Sequence, residues 1–145
     1  MALITTTVFQ FLTLLTLTST TLAAPSLPTT SFQKRFDFQL NCNDNGGGYR
    51  PVSEAETAVN YLYLIGESDC TIDGENTIFA YLKDTAIYGA NVSESGTTTS
   101  LCKHVARAAQ NVIDSCTTAD GYVGGASAAY GNGDLLVSIN RNTGV

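Results

Sequence analysis

The sequence contains no tryptophan, a single histidine and a single methionine, and only 14% of its residues are charged. One histidine leaves little material for a zinc site, so we expect no metal and no cofactor. No serine lies in a nucleophile-elbow motif, and no pair of carboxylates is placed for glycoside hydrolysis. These absences argue against an enzyme, and we expect no catalytic residues.

Positive charge is also scarce, because 7 lysines and arginines stand against 13 acidic residues, for a net charge of −6. A nucleic-acid binder needs a basic face to meet phosphates, so we expect no nucleic acid as partner. What the chain does have is length and apolar content: 145 residues, 43% of them hydrophobic, suffice for one domain with a real core.

The first 23 residues have the features of a signal peptide. An apolar run from Val8 to Leu17 leads to Ala23 and Ala24, with small residues where a signal peptidase would cut after Ala23. The run is shorter than the ~20 apolar residues that cross a bilayer. We therefore expect a secreted, extracellular protein.

A second processing signal follows the first. Residues 24–35 are rich in proline, serine and threonine and close on the dibasic pair Lys34 and Arg35. In a secreted chain, such a pair before ordered sequence is typical of a pro-peptide cleavage site. We expect a signal peptide at 1–23, a pro-peptide at 24–35 and one domain at 36–145.

All four cysteines, Cys42, Cys70, Cys102 and Cys116, lie in the predicted domain. In an oxidising compartment, an even number of cysteines without C-x-x-C spacing predicts two disulfides. Asn91 begins an Asn-Val-Ser sequon in a polar segment, which makes it a candidate for glycosylation.

The first predicted helix begins at Ser53, whose hydroxyl forms a capping box with Glu56, and ends before Gly66 in a left-handed cap. Its apolar positions have helical spacing: Ala55, Ala58, Val59, Leu62 and Ile65. We expect Tyr61 and Tyr63 to be partly buried against the sheet.

A second helix, from about 100 to 115, has the clearest periodicity. Its apolar stripe consists of Cys102, Val105, Ala106, Ala109, Val112, Ile113 and Cys116. Strands are predicted at 36–41, 76–83 and 135–139, with a long polar loop at 89–99. This order predicts an α+β fold: a two-layer sandwich with two antiparallel helices on one face of a mostly antiparallel sheet.

The second helix limits the disulfide pairing. Cys102 and Cys116 are 14 positions apart on it, which is roughly 21 Å along a helix axis. A disulfide allows only about 7 Å between Cα atoms, so these two cannot pair with each other. Two pairings remain open: 42–116 with 70–102, or 42–102 with 70–116.

Lys103 and Arg107, with His104 beside them, form the one small cationic patch of the sequence, at i, i+4 spacing on the second helix. The patch has two interpretations: a solvated helix face, or a contact surface for an anionic partner. We expect His104 to face solvent rather than to act in catalysis.

Several segments together resemble the killer-protein-four-type killer toxins of corn smut and the small secreted fungal proteins related to them. The matching segments are Leu40-Asn41-Cys42, Cys70 ahead of Gly74-Glu75-Asn76-Thr77-Ile78-Phe79-Ala80-Tyr81-Leu82, Cys102-Lys103-His104, Ile113-Asp114-Ser115-Cys116 and Gly133-Asp134-Leu135-Leu136-Val137-Ser138-Ile139. They extend over most of the predicted domain.

The resemblance implies the same α/β sandwich and the pairing Cys42–Cys116 with Cys70–Cys102. It also implies a disulfide-stabilised, killer-toxin-like protein that acts without catalysis on a target cell, by interference with ion channels or calcium uptake. The alternative is an apoplastic virulence effector, or a surface- or glycan-binding module without direct toxicity. The expected partner is a target-cell membrane protein or a host surface component, bound by a monomer.

Overall fold

A computed structural model describes residues 39–42 and 48–144. The predicted signal peptide, the pro-peptide with Lys34 and Arg35, and the start of the first predicted strand lie outside the described residues. The elements in chain order are β1 (Arg50–Pro51), α1 (Val52–Leu64), β2 (Asp69–Asp73), β3 (Asn76–Leu82), β4 (Thr85–Asn91), β5 (Thr97–Leu101), α2 (Cys102–Cys116), β6 (Tyr122–Val123), β7 (Gly125–Ala129) and β8 (Asn132–Arg141).

The main sheet has four antiparallel strands in the order β3-β4-β8-β7. Two short antiparallel ladders, β2 with β5 and β1 with β6, accompany it. At the sheet centre, Ile87 of β4 lies opposite Ile139 of β8. Asn41 makes an isolated antiparallel bridge to Ala126, which places the described N-terminal segment beside β7.

The core lies between this sheet and the two helices. Leu135, Val137 and Ile139 alternate along β8 and are fully buried, as expected for one covered face of a sheet. Helix α1 packs against β3 and β4, and α2 packs against β7, β8 and α1. The predicted α+β fold, with helices packed on an antiparallel sheet, is therefore confirmed.

The predicted long loop at 89–99 is wrong in part. Strand β4 continues to Asn91, and β5 begins at Thr97 and pairs with β2. Within β5, Thr98 and Ser100 are buried while Thr97 and Thr99 are exposed. A half-buried strand of β-branched threonines has no apolar alternation, so its polar composition resembles a loop.

The start of α1 also differs from the prediction. The helix begins at Val52, and no side chain caps its first turn, so the capping box at Ser53 is wrong. The backbone N–H of Val52 instead donates to the carbonyl oxygen of Gly121 at 3.0 Å. Ser53 lies inside the first turn, where its own carbonyl accepts a hydrogen bond from Thr57. The N–H of Val52, the first of the helix, is therefore satisfied by a tertiary contact and not by a side chain.

At the other end of α1, Gly66 does not adopt the predicted left-handed conformation. Glycine is required here instead because the loop after α1 approaches the start of α2 closely. A Cβ atom at Gly66 would lie 2.9 Å from the carbonyl oxygen of Tyr63 and 3.1 Å from the Cβ of Lys103. This approach lets the carbonyls of Gly66 and Ser68 accept hydrogen bonds from the N–H groups of Lys103 and Cys102, at 3.0 and 2.9 Å. The loop after α1 thus caps the N-terminus of α2.

The predicted apolar stripe of α2 is confirmed, because every member is buried. Both ends of the helix are joined by disulfides to other segments: Cys70 to Cys102, and Cys42 to Cys116, each with Cα atoms 5.0 Å apart. This is the pairing that the resemblance implies, and it leaves none of the cysteines free.

Gly89 in β4 is covered by side chains of the core. A Cβ atom at this position would overlap ring atoms of Phe79 and would lie 2.8 Å from Cδ1 of Ile72. We expect Gly89→Ala to lower the free energy of unfolding by about 1–3 kcal/mol, because overpacking forces the ring and the strand apart.

Urea denaturation followed by circular dichroism measures this change. Gly96→Ala is the matched control, since nothing lies within 4 Å of a Cβ atom there. Equal stability of the two variants would contradict the packing described for Phe79.

Candidate functional site

The outward side of α2 carries a row of polar residues. Arg107, Gln110, Asn111 and Asp114 follow the spacing i, i+3, i+4 and i+7, which places them on one face of a helix. The opposite side of α2 is the buried apolar stripe, so this face points away from the core. Gln110 Nε2 donates to Asp114 Oδ1 at 2.8 Å, which fixes two of these side chains relative to each other.

Ion pairs account for most of the positive charge on the described residues. The pairs are Arg50–Asp84 at 3.1 Å, Lys83–Glu54 at 3.5 Å, Lys103–Glu67 at 2.7 Å and Arg141–Asp84 at 3.8 Å. Over residues 39–42 and 48–144, Arg107 is the one cation without a carboxylate partner. Lys103 is therefore neutralised locally, whereas the charge of Arg107 is available to a ligand.

Arg107 lies on an aromatic ring rather than beside an acid. Its Cζ is 4.3 Å from the centroid of the Tyr130 ring, a cation–π contact. His104 meets the same ring edge-on, with centroids 5.7 Å apart. The structure thus divides the predicted patch: Lys103 turns to Glu67, while His104 and Arg107 hold Tyr130.

The prediction for the two tyrosines of α1 is wrong. Tyr61 and Tyr63 are exposed, Tyr63 by 44%, because they flank Leu62, which faces the core. One residue advances a helix by about 100°, so both neighbours of a buried position turn away from it. Tyr63 belongs to the same surface as Arg107 and Tyr130.

These residues line an open groove of about 420 Å³, which we call the α2 groove. Its lining is Tyr63, Arg107, Ala108, Gln110, Asn111, Asp114, Ser127, Ala128 and Tyr130. Tyr130 is 57% exposed, and it stands at the turn between β7 and β8. The groove therefore combines two accessible aromatic rings with a guanidinium, two amides and a carboxylate.

A larger depression of about 730 Å³ runs along β3, between Tyr61 of α1 and Asn142. The described side chains that line it include none with a charge. The α2 groove is lined by a carboxylate, two amides and Arg107, the cation without a carboxylate partner, so it is the stronger candidate site.

Asn91 lies at the end of β4 and is half-buried. Its Nδ2 donates to the carbonyl oxygen of Ser95 at 2.7 Å, and its Oδ1 accepts from the hydroxyl of Ser93 at 2.6 Å. The amide is thus held in a turn with the sequon serine. Glycosylation of Asn91 stays a prediction.

Among the residues that the structure describes, no group of three or more His, Cys, Asp or Glu side chains is arranged to hold a metal ion. In the same part of the chain, no helix has the length and apolar character needed to cross a membrane.

The fold and the groove define a small α+β domain with two disulfides and an exposed aromatic and polar surface on one helix. The chain belongs to the family described as a domain of unknown function (DUF8794), whose profile matches residues 37–141. Comparison with curated proteins and with solved structures gave no match.

Proposed function

We propose that this chain is a secreted, killer-toxin-like protein that acts on a target cell by binding and not by catalysis. The observation that carries the proposal is the pairing of Cys42 with Cys116 and Cys70 with Cys102 within an α+β sandwich. Composition and helix geometry left two pairings open, and this is the one that the resemblance to smut killer toxins implies.

The contact surface in this proposal is the outward side of α2 with its groove. Arg107 and Tyr130 are residue types that dominate binding energy at protein surfaces, and both are accessible. A target-cell membrane protein or a host surface component is the proposed partner, and the protein engages it as a monomer.

Interference with calcium uptake is the finer part of the proposal. A channel blocker presents a cation to an acidic pore mouth. The residues ahead of Cys70 are Glu67, Ser68 and Asp69, so that stretch supplies no cation. Lys103 lies close by but is paired with Glu67 at 2.7 Å, which leaves Arg107 as the cation that such a mechanism would use.

Growth inhibition of sensitive fungi by the double variant Lys103→Glu, Arg107→Glu tests the surface. We expect the dose that halves growth to rise about tenfold, equivalent to about 1.4 kcal/mol of binding energy. The reason is that Arg107→Glu puts a carboxylate against the electron-rich face of Tyr130, and Lys103→Glu puts a second acid beside Glu67.

The matched control is Lys83→Glu, Arg141→Glu, which changes the net charge equally but on side chains paired with Glu54 and Asp84. Circular dichroism and non-reducing peptide maps check that both variants keep the fold and the bridges. Equal potency of the wild type and the α2 double variant would contradict the proposal that this side of α2 contacts the target.

A second candidate function is a surface-binding module, such as an apoplastic effector, that engages a host or cell-wall component without toxicity. The α2 groove favours it, because a concave site with several polar groups suits a small ligand. A protein that labels target cells and leaves their growth unchanged at every dose would select this candidate.

A further inference from the structure

We propose that the α2 groove binds a neutral oligosaccharide. The inference rests on the proposed function, in which the protein engages a component of a cell surface, and it names the chemical class of that component. It depends on three properties of the groove: its aromatic rings, its set of hydrogen-bonding groups and its charge.

Two tyrosine rings are accessible in the groove, Tyr63 by 44% and Tyr130 by 57%. A pyranose ring has apolar C–H faces that pack on aromatic rings, while its hydroxyls project around the edge. The Tyr130 ring is held in place by Arg107 and His104, at 4.3 and 5.7 Å. A ring that is already fixed loses little conformational entropy when a ligand covers it.

The polar lining matches the edge of a sugar. Each hydroxyl both donates and accepts, and the groove offers both functions: Arg107 donates, Asp114 accepts, and Gln110 and Asn111 do both through their amides. The bond from Gln110 Nε2 to Asp114 Oδ1 fixes one amide and one carboxylate in advance. These groups lie along successive turns of one helix, an arrangement suited to an extended ligand.

The negative charge of the molecule favours a neutral saccharide over an anionic one. The full chain has a net charge of −6, and Asp114 lies in the groove itself. A uronic acid or a sulfated sugar would meet this negative potential, and among the described residues of the lining Arg107 is the one cation to offset it. A neutral sugar uses Arg107 as a hydrogen-bond donor without that repulsion.

Of the two kinds of partner proposed above, a membrane protein or another surface component, the small apolar part of the groove favours a saccharide component. Apart from the two tyrosines, the only apolar side chains in the described lining are the methyl groups of Ala108 and Ala128. Protein hot spots need a deep, fully desolvated pocket around an aromatic or aliphatic anchor. An open groove with this polar lining suits a hydroxylated ligand better than an apolar anchor.

The test is isothermal titration of the oxidised protein with three soluble neutral probes: chito-, laminari- and manno-oligosaccharides. We expect at least one probe to bind. Tyr130→Ala should weaken that binding about tenfold or more, and Tyr130→Phe, which keeps the ring, should retain most of it. Tyr122→Ala removes another exposed tyrosine outside the groove lining and should leave binding unchanged.

Failure of all three probes to bind would overturn the inference, and so would binding that Tyr130→Ala leaves intact. Tighter binding of a uronate or sulfated oligosaccharide, or capture of a protein in place of sugar, would overturn it as well. Growth inhibition that persists without saccharide binding rejects this inference and leaves the proposed toxicity standing. Saccharide binding without any effect on growth supports the inference and rejects the toxicity.

Discussion

Removal of the Cys42–Cys116 disulfide, by alanine at both positions, is expected to lower the free energy of unfolding by about 4 kcal/mol. The two cysteines are 74 positions apart, and loop-closure entropy for a cross-link of that length is roughly 4.5 kcal/mol at 25 °C. The total free energy of unfolding of a small domain is about 5–15 kcal/mol, so the loss is a large fraction of its stability.

The surroundings of this disulfide explain why the fold depends on it. Residues 39–42 are joined to the sheet by two backbone hydrogen bonds between Asn41 and Ala126, at 2.9 and 2.8 Å. Close approach is permitted by Gly125, where a Cβ atom would lie 2.5 Å from the carbonyl oxygen of Asn41. Without the Cys42–Cys116 bond, we expect these two hydrogen bonds and the packing of Leu40 against the core to hold the segment only weakly.

The comparison is alanine at both Cys70 and Cys102, whose separation is 32 positions. Loop-closure entropy for that bond is roughly 3.7 kcal/mol, and the β2–β5 ladder still holds Cys70 opposite Ser100. Urea unfolding, followed by circular dichroism, measures the free energy of unfolding of the two variants, and we expect the larger loss for the 42–116 pair. A greater loss for the 70–102 pair would contradict this account of how the N-terminal segment is held.

The second large effect is expected for Leu62→Ala, which should lower the free energy of unfolding by about 2–5 kcal/mol. The loss comes from the removed side chain and from the cavity left behind. Leu62 is fully buried on α1, in the core between the helices and the sheet. The same helix supplies its control, since Leu64 is 86% exposed two positions later.

Leu64→Ala should change the free energy of unfolding by less than about 0.5 kcal/mol, because a surface side chain has no cavity to leave. Thermal and urea unfolding of both variants measure the difference. Similar losses at the two positions would mean that the face of α1 turned to the core is not the one described.

Periodicity predicted the elements that depend on burial. Helix α2 and strand β3 both carry patterns in the sequence that match their environments, an apolar stripe in one and a β-branched and aromatic run in the other. The errors fall where distant segments meet. The capping box is wrong because the helix begins at Val52, one residue before Ser53, where the N–H of Val52 donates to Gly121 far along the chain. Strand β5 was missed because its threonines pair with β2.

For the candidate site, the sequence likewise predicted the local pattern but not the contacts with distant segments. The i, i+4 spacing of Lys103 and Arg107 predicted one polar helix face. Their partners were not predictable, since Glu67 comes from the loop after α1 and Tyr130 from the turn after β7. Tyr130 is followed by Gly131 in the turn between β7 and β8, and an aromatic residue beside a turn glycine is the one local signal of its exposure.

The most direct test of the central claim, that the protein acts on a target cell by binding, is a growth assay. Sensitive yeast and filamentous fungi are dosed with the purified, oxidised protein, with and without excess calcium. We expect inhibition that added calcium relieves. Inhibition that calcium leaves untouched would keep the toxicity and move the target away from calcium uptake. No inhibition at any dose would contradict the killer-toxin account.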